Sequence, residues 1–481
     1  MRYCLFILFS VLSVSRAFSQ SKPTHDISVK ISPYSNCTIY LGAYYGRGQI
    51  LTDTARLNAN GEGDFHNNIQ LTDGLYFIAS AEKKILFEFL MSDGQHFKII
   101  ADTAHRNDIK YIGSPDNDLF KAYINYASAT VTQNNFLINQ YKTAKTRGDS
   151  LIIQNKLNGL NTKFNSFKDS IIHSSPNSLT ALFLTAGKPA QLPPNAILKT
   201  KKDTLSALSY IRKHFWQDVP FNDDRLLYTP FFESKIDTYY TYYVSPVADS
   251  VINELQYMLL YARTGKQMYP YLLMKFTNQY FNPQHVGQNK VFLYLFNEFY
   301  MKGDTTLLNP QSKKIIFDRA YQLMANQVGD PAPQLDLTNI DGKPISLYNI
   351  NAPYTMIIFW EPSCSHCQKE LPLIDSIYRT KWKGLGVKIY TVNINRELEN
   401  EVPQFIHDKK LSTDWIFSYQ TANDEKTTAT KGLLNYFQTY DVYDTPSIYL
   451  LDAKKRIIGK HLSIYQFDTL LSLKYSSINK K

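Results

Sequence analysis

Two cysteines separated by two residues, Cys364 and Cys367, are the residues whose type and spacing point most directly to chemistry. A dithiol at this spacing can close into a small disulfide and reopen, so it predicts thiol–disulfide exchange with a partner. Only a thiolate acts as the nucleophile in that exchange. We therefore expect Cys364 to attack a substrate disulfide and Cys367, one helical turn later, to resolve the mixed disulfide.

The segments on either side of the cysteines predict how the two thiols are positioned. Residues 354–360 form a short apolar, β-branched and aromatic run, which is typical of a buried strand, and residues 368–378 have helical spacing. Cys364 would then lie at the start of the helix, where unpaired N–H groups and the helix dipole favour negative charge. The pattern therefore predicts a thiol whose pKa is lowered.

Three residues beside the cysteines are candidate supporting residues: Trp360, Glu361 and His366. As a cation, His366 would favour the thiolate and make the disulfide a better oxidant, whereas a side chain directed to water would do little. Glu361 is the nearest carboxylate, and it is either a proton relay during resolution or an exposed loop residue.

The pair Thr445-Pro446 lies directly before a strand-like run, residues 447–451. A proline is tolerated at the first residue of a sheet strand, and a cis peptide bond there would be a functional feature. Its position, at the opening of the last predicted strands, makes Thr445-Pro446 a strong signal, although a Thr-Pro pair alone is a weak one.

Together these motifs resemble the thioredoxin superfamily, and within it the exported TlpA/ResA-like thiol–disulfide oxidoreductases, over about residues 326–481. The resemblance implies that Pro446 is the cis-proline beside the cysteines, where extended substrate backbone docks. It also implies that Pro372 kinks the active-site helix. The turn Asp341-Gly342-Lys343 is similar to the hairpin added at the N-terminus of this group.

Two positions depart from the thioredoxin pattern. Thioredoxins usually carry a tryptophan directly before the first cysteine, where this chain has Ser363, and a buried acid six residues before it, where this chain has Ile358. These differences bear on proton handling and on the substrate surface. They leave the dithiol chemistry itself in place.

The C-terminal part of the chain alternates predicted strands and helices. Two prolines and a glycine within residues 328–333 cannot continue a helix and mark its start. The pattern predicts a hairpin, then a βαβ unit and a ββα unit, which form a mixed sheet covered by helices. The expected elements are strands at 335–337, 345–347, 354–360, 387–392, 447–451 and 456–460, and helices at 368–378, 398–410 and from 464.

The first 325 residues contain a strand-like region followed by a helical region. Residues 25–112 contain short alternating or β-branched runs with turn signals such as Asn60-Gly61, and helical spacing follows up to residue 325. Residues 112–117 and 215–221 resemble motifs of two domains that precede TlpA-like domains in Bacteroidetes proteins. Those domains have no assigned activity, so this resemblance predicts architecture only.

The predicted fold class is therefore multidomain, with an N-terminal β-sandwich, a central all-α domain and a C-terminal α/β domain of thioredoxin-like fold. A length of 481 residues requires more than one core. The expected boundaries are a signal peptide at 1–20, the sandwich at 21–117, the helical domain at 118–325 and the thioredoxin-like domain at 326–481.

The first 20 residues are predicted to be a secretory signal peptide. A basic start, an apolar core from Leu5 to Val14 and small residues at Ala17 and Ser19 match such signals, with an N-terminal membrane anchor as the alternative. The formal charge of the whole chain is +10, and its basic residues are scattered. This favours a solvated surface over nucleic-acid binding. We therefore expect a periplasmic or cell-envelope protein.

Outside the pair and the signal, the remaining cysteine is Cys37, in a strand-like run where a buried thiol is expected and pairing with a partner is the alternative. Histidines and acidic residues of 21–325 lack metal-ligand spacing. A metal site at Cys364, His366 and Cys367 would lack a second ligand cluster. We expect neither a metal nor a cofactor beyond the redox-active disulfide Cys364–Cys367.

The leading hypothesis is an exported thiol–disulfide oxidoreductase that reduces disulfides of protein substrates. A membrane thiol electron donor would then reduce its own disulfide again. An oxidant or isomerase would use the same residues: the Ser-His dipeptide favours it, whereas the resemblance favours a reductase. A peroxidase needs Thr or Ser three residues before its reactive cysteine, where this chain has Glu361. A binding protein dominated by residues 21–325 is a further alternative, and the sequence does not indicate the oligomeric state.

Overall fold

The structure, a computed structural model, describes residues 25–478 apart from 93–94, 106–107, 194–195, 284, 286, 433 and 443. The predicted signal peptide at 1–20 lies outside these residues. Among the helices that are described, none has the length and apolar character needed to cross a membrane.

The described residues form strands in two groups, one at each end of the chain. The first group is β1 His25–Ser32, β2 Thr38–Tyr45, β3 Gly48–Arg56, β4 Glu62–Asn67, β5 Gly74–Ala79, β6 Ile85–Met91, β7 His96–Asp102 and β8 Lys110–Ile112. The second group is β9 Asp336–Asn339, β10 Pro344–Ser346, β11 Tyr354–Trp360, β12 Val387–Asn393, β13 Ile416–Tyr419, β14 Ser447–Asp452 and β15 Ile457–Lys460.

Helices fill the middle of the chain and separate the strands of its C-terminal part. The central helices are α1 Pro115–Thr143, α2 Arg147–Ser174, α3 Leu179–Ala186, α4 Lys201–His214, α5 Phe231–Tyr242, α6 Ala248–Ala262, α7 Met268–Phe281, α8 Asn289–Glu298 and α9 Pro310–Met324. The C-terminal helices are α10 Ser365–Ile377, α11 Val402–Asp408, α12 Ala422–Thr430, α13 Tyr436–Thr439 and α14 Ile464–Ile478.

The chain divides into two compact units. One consists of the described part of Met1–Val244 together with Tyr257–Tyr269, and the other of Ser245–Gln256 and the described part of Pro270–Lys481. The second unit therefore contains α8 and α9 as well as the C-terminal sheet. The boundaries that the sequence predicts at 20, 117 and 325 stay predictions.

The first unit contains a sheet-rich region followed by helices. Its strands form two four-stranded sheets, in the orders β4-β1-β7-β8 and β3-β2-β5-β6. Phe89 of β6 contacts Phe97 of β7 in the other sheet, with ring centroids 5.9 Å apart. The predicted sheet-rich and helical regions are confirmed at this level, whereas the finer sandwich and all-α descriptions stay predictions.

The second unit is built on one seven-stranded mixed sheet in the order β10-β9-β13-β12-β11-β14-β15. The strands β11, β12 and β13 run parallel, and β14 pairs antiparallel to β11. Parallel neighbours require a crossover, and α10 provides it between β11 and β12. A thioredoxin-like C-terminal domain is thereby confirmed.

The central strand β11 is buried along its whole length, because helices and loops cover both faces of the sheet. Met356, Ile358 and Trp360 pack into one core, and Ile357 and Phe359 into the core on the other face. The continuous apolar run that predicts this strand therefore reflects two cores. Its last residue leads directly to the cysteines.

The sequence-based description omits β13, α12 and α13, which lie between β12 and the Thr445-Pro446 pair. The strand β13 has four residues, and α12 contains no buried residue, so neither carries a strong hydrophobic period. The predicted helix at 398–410 is a 3-10 turn at Arg396–Glu401 followed by α11.

Candidate active site

The candidate site lies where β11 ends and α10 begins. Cys364 is the N-cap residue of α10, and its sulfur accepts a hydrogen bond from the backbone N–H of Cys367 at 3.2 Å. An N-cap side chain satisfies one of the unpaired donors of the first turn, where the helix dipole also favours negative charge. The sequence places the candidate nucleophile at this position because a buried strand leads directly to the start of a helix.

Cys364 is partly exposed, and its sulfur has several hydrogen-bond partners. Its thiol also donates to the backbone carbonyl of Thr445 at 3.2 Å. Burial raises the pKa of Cys364, but hydrogen bonds from the side chains of Cys367 and Thr445 and from the N–H groups of residues 367 and 366 outweigh it. The pKa of Cys364 therefore lies below that of an ordinary thiol.

Cys367 differs from Cys364 in being fully buried. It packs in the apolar core that contains Ile358 and Trp360. Desolvation, together with the hydrogen bond to the Cys364 sulfur, raises the pKa of Cys367 to about 12. Both cysteines are free thiols in the structure, so the geometry is that of the reduced dithiol.

Thr445 and Pro446 lie beside Cys364, although 81 positions separate Thr445 from Cys364 in the sequence. The peptide bond between them is cis, and both residues are partly exposed. Pairing of Ser447 in β14 with Phe359 in β11 brings the pair to the cysteine end of the sheet. The structure thus joins the two motifs that the sequence presents separately.

Glu361 follows β11 and is partly exposed. Its Oε2 accepts a hydrogen bond from Nδ2 of Asn395 at 2.9 Å. Asn395 is itself held by Asn393 at the end of β12, because the Asn393 amide donates to the Asn395 carbonyl at 2.9 Å and accepts from its N–H. The carboxylate therefore has a defined position at this edge of the sheet.

The other two supporting candidates have different surroundings. The His366 side chain is exposed, and this residue contributes a backbone N–H to the Cys364 sulfur. Trp360 is fully buried against Phe405, with ring centroids 4.8 Å apart. The indole N–H of Trp360 has no hydrogen-bond partner among the described residues. Trp360 therefore packs beneath the site, and a role for the His366 imidazole stays a prediction.

Asn393 and Asn395 are site residues that the sequence-based description does not include. Asn393 is the last residue of a buried strand that runs parallel to β11, Asn395 follows two positions later, and the carboxyl ends of parallel strands meet at one edge. Polar residues directly after such a strand were the available signal. Pro372 lies inside α10, as the resemblance implies.

Cys37 is partly exposed rather than buried, which corrects the sequence-based expectation. It precedes β2 instead of lying within it, and its carbonyl accepts a hydrogen bond from Leu57 at 2.8 Å. Across the described residues, no group of three His, Cys, Asp or Glu side chains is arranged to hold a metal ion.

Comparison with known proteins gives the C-terminal part of the chain a family. The model of the AhpC/TSA family matches residues 328–460. Thiol–disulfide oxidoreductase ResA of Bacillus cereus is 28% identical over 134 residues, which are 28% of this chain and 69% of that protein. Sporulation thiol–disulfide oxidoreductase A of Bacillus subtilis is 30% identical over 143 residues, which are 29% of this chain and 77% of that protein.

Among solved structures, a thioredoxin-like protein from Bacteroides caccae is 19% identical, with a TM-score of 0.46 over 60% of this chain and 99% of that one. The dithiol at the start of α10 and the similarity to Bacillus oxidoreductases lead to the same assignment. Through its C-terminal part, the chain belongs to the thioredoxin-like AhpC/TSA family and is a thiol–disulfide oxidoreductase.

Proposed function

We propose that the protein is an exported reductase that transfers electrons from the Cys364–Cys367 dithiol to disulfides of substrate proteins. The observation that carries this proposal is the asymmetry of the two thiols. Cys364 is partly exposed with a lowered pKa, whereas Cys367 is buried with a pKa raised to about 12. This asymmetry suits one attacking and one resolving thiol.

The proposed reaction has two steps. The Cys364 thiolate attacks one sulfur of the substrate disulfide, forming a mixed disulfide and releasing the first substrate thiolate. Cys367 then loses its proton and attacks the Cys364 sulfur, which forms the Cys364–Cys367 disulfide and releases the second substrate thiolate. Two electrons pass to the substrate, and the disulfide is the only redox group that the reaction requires.

The second step needs a base, because a thiol with a pKa near 12 is protonated at neutral pH. We assign this role to Glu361, whose carboxylate is held by Asn395 at the cysteine end of the sheet. Its backbone N–H also acts to lower the pKa of Cys367, so this residue lies close to the resolving thiol.

The direction of electron flow is supported by the surroundings of Cys364. Strong oxidants of this chemistry owe their potential to a strongly stabilised reduced form. Here burial is the largest influence on the pKa of Cys364 and opposes the thiolate, and the His366 side chain is exposed. An exposed imidazole stabilises a thiolate less than a buried cation would, which favours a reductase over an oxidant or isomerase.

Substrate docking is proposed at Thr445 and Pro446. Both residues are partly exposed, and the Thr445 carbonyl is 3.2 Å from the sulfur that would attack. An extended substrate segment lying against them would bring its disulfide to Cys364. The signal-like residues 1–20 support export to the periplasm or cell envelope, where a membrane thiol donor would reduce the disulfide again.

The reduction potential of the Cys364–Cys367 couple tests this proposal. The chain from residue 21 would be equilibrated with glutathione buffers and the disulfide fraction read by mass spectrometry. We expect a value of about −270 mV, near that of thioredoxin. A value of roughly −180 to −120 mV would indicate an isomerase or oxidant. Absence of a reversible couple would favour a binding protein dominated by residues 21–325.

A further inference from the structure

The Thr445 carbonyl, which contacts the Cys364 sulfur, belongs to a segment held by buried side chains, two of which lie in α9 or just beyond it. Thr445 lies four positions after Asp441, in the stretch that links α13 to β14. Asp441 has a left-handed backbone (φ 52°) and is buried. A buried carboxylate requires a partner of opposite charge, since desolvation penalises an unpaired charge.

That partner is Arg319 of α9, 122 positions earlier in the chain. Its guanidinium forms an ion pair with Asp441, and the two side chains are only 4% and 6% exposed. The Nε of Arg319 also donates to the carbonyl of Phe281 at 2.9 Å, and the guanidinium carbon lies 5.5 Å from the centre of the Phe281 ring. The carbonyl and ring of Phe281, at the end of α7, therefore hold the guanidinium that pairs with Asp441.

The two residues before Asp441 are held in the same way. The amide Nδ2 of Asn326, just beyond α9, donates to the carbonyl of Thr439 at 3.0 Å. The hydroxyl of Tyr449 in β14 donates to the carbonyl of Tyr440. Three consecutive residues of this segment therefore each receive a hydrogen bond from a buried side chain.

We propose that Arg319 is a positioning residue for the thiol chemistry: through Asp441 it fixes the segment whose Thr445 carbonyl contacts the Cys364 sulfur. This inference rests on the proposed function, because it assigns α9 a part in the same site. The ion pair lies in the second unit, although the predicted domain boundary at 325 places Arg319 and Asp441 in different domains.

The test is the pH dependence of Cys364 alkylation by iodoacetamide, measured on the chain from residue 21 by mass spectrometry. The variant Arg319→Met removes the ion pair that holds Asp441. We expect this to displace Thr445, whose side chain helps to lower the pKa of Cys364. We expect the alkylation profile to move to higher pH and the rate at pH 7 to fall roughly three- to tenfold. Arg319→Lys keeps the charge opposite Asp441 and should restore part of the rate.

Lys455→Met is the matched control. Lys455 is also buried and cationic, but it donates to Thr355 at 2.7 Å, at the end of β11 opposite the cysteines. The proposal expects a native profile in this variant. It is overturned if Arg319→Met keeps the native profile, if Lys455→Met shifts it equally, or if Arg319→Lys restores nothing.

A folding defect would be recognised by the loss of a cooperative thermal transition in Arg319→Met. The double variant Arg319→Met/Asp441→Leu then replaces it, because it removes both members of the ion pair and leaves neither buried without the other. A native profile in the folded double variant overturns the proposal. Failure of the double variant to fold overturns it too, since the pair would then stabilise the whole unit. Alkylation requires no redox partner, so a shift in a chain without exchange activity would refute only the proposed function.

Discussion

The two sulfurs of the candidate site differ chiefly in burial, and we propose that this difference determines their roles. Cys364 lies at a helix N-terminus with N–H donors directed at it, whereas Cys367 is enclosed by apolar side chains. We therefore expect a substrate disulfide to reach Cys364 and not Cys367. Identical side chains three positions apart thus acquire separate tasks from the strand and helix that hold them.

Substituting each cysteine separately should separate the two steps of exchange. We expect Cys367→Ser to trap substrate proteins as stable mixed disulfides on Cys364, because the resolving thiol is gone. Cys364→Ser should trap nothing, since the buried Cys367 is not accessible to substrate. Non-reducing gels followed by mass spectrometry would measure the trapped species. Equal trapping by both variants would contradict the assignment.

The pKa shifts predict a distinctive alkylation profile. In a Cys37→Ser background, the thiol of Cys364 should react with iodoacetamide at lower pH than glutathione does, because its pKa lies below that of an ordinary thiol. Cys367, with a pKa raised to about 12, should stay unmodified in the folded protein between pH 6 and about 9. Peptide mapping would identify the modified residue, and modification of Cys367 first would reverse the assignment.

The carboxylate of Glu361 predicts a defect confined to the resolving step. Glu361→Gln keeps the hydrogen bond to Asn395 within reach but removes the base, so resolution should slow by roughly ten- to a hundredfold at pH 7. Stopped-flow quenching would show the mixed disulfide accumulating. Glu397→Gln, which changes an exposed carboxylate two positions after Asn395, is the control and should behave as the native chain.

At the scale of elements, β11 determines where the chemistry occurs. It is buried on both faces and pairs with β12 and β14, so its last residue has a fixed place at the edge of the sheet. From there the chain turns into α10 within four residues. Asn393 at the end of β12, Asn395 just after it and Thr445 just before β14 reach the same edge.

Trp360 anchors this strand through packing rather than polar contacts, and its substitution should affect stability accordingly. Trp360→Ala should lower the free energy of unfolding by about 3–5 kcal/mol because it leaves a large cavity. Trp360→Phe should cost only about 1–2 kcal/mol, since the indole N–H has no partner to lose. Urea denaturation would measure both, and equal losses would indicate an unrecognised polar role.

The sequence predicts elements with a strong hydrophobic period and motifs confined to a few neighbouring residues. The run 354–360 and the Cys364–Cys367 pair are of this kind. The polar helix α12 and the four-residue β13 lack such a period and are missed. From the sequence, Arg319 and Asp441 are each interpreted as a surface charge, because the neighbouring residues do not indicate a partner 122 positions away.

At the scale of the whole molecule, the chain contains two compact units with separate cores. Calorimetry of the chain from residue 21 should therefore show two unfolding transitions. Only the transition of the unit that contains Cys364 and Cys367 should shift between the reduced and oxidised forms. A single transition, or equal shifts in both, would show that the units unfold together.

The ion pair between Arg319 and Asp441 also limits where gene recombination could divide this chain. Recombination that joined a C-terminal segment starting at residue 326 to a new partner would carry Asp441 without its arginine. The transplanted segment would contain both cysteines and the Thr445-Pro446 pair, and it would still bury the Asp441 carboxylate without its arginine partner. We therefore expect the smallest C-terminal segment of this chain that keeps the ion pair to begin at or before α9, one helix earlier than the motifs suggest.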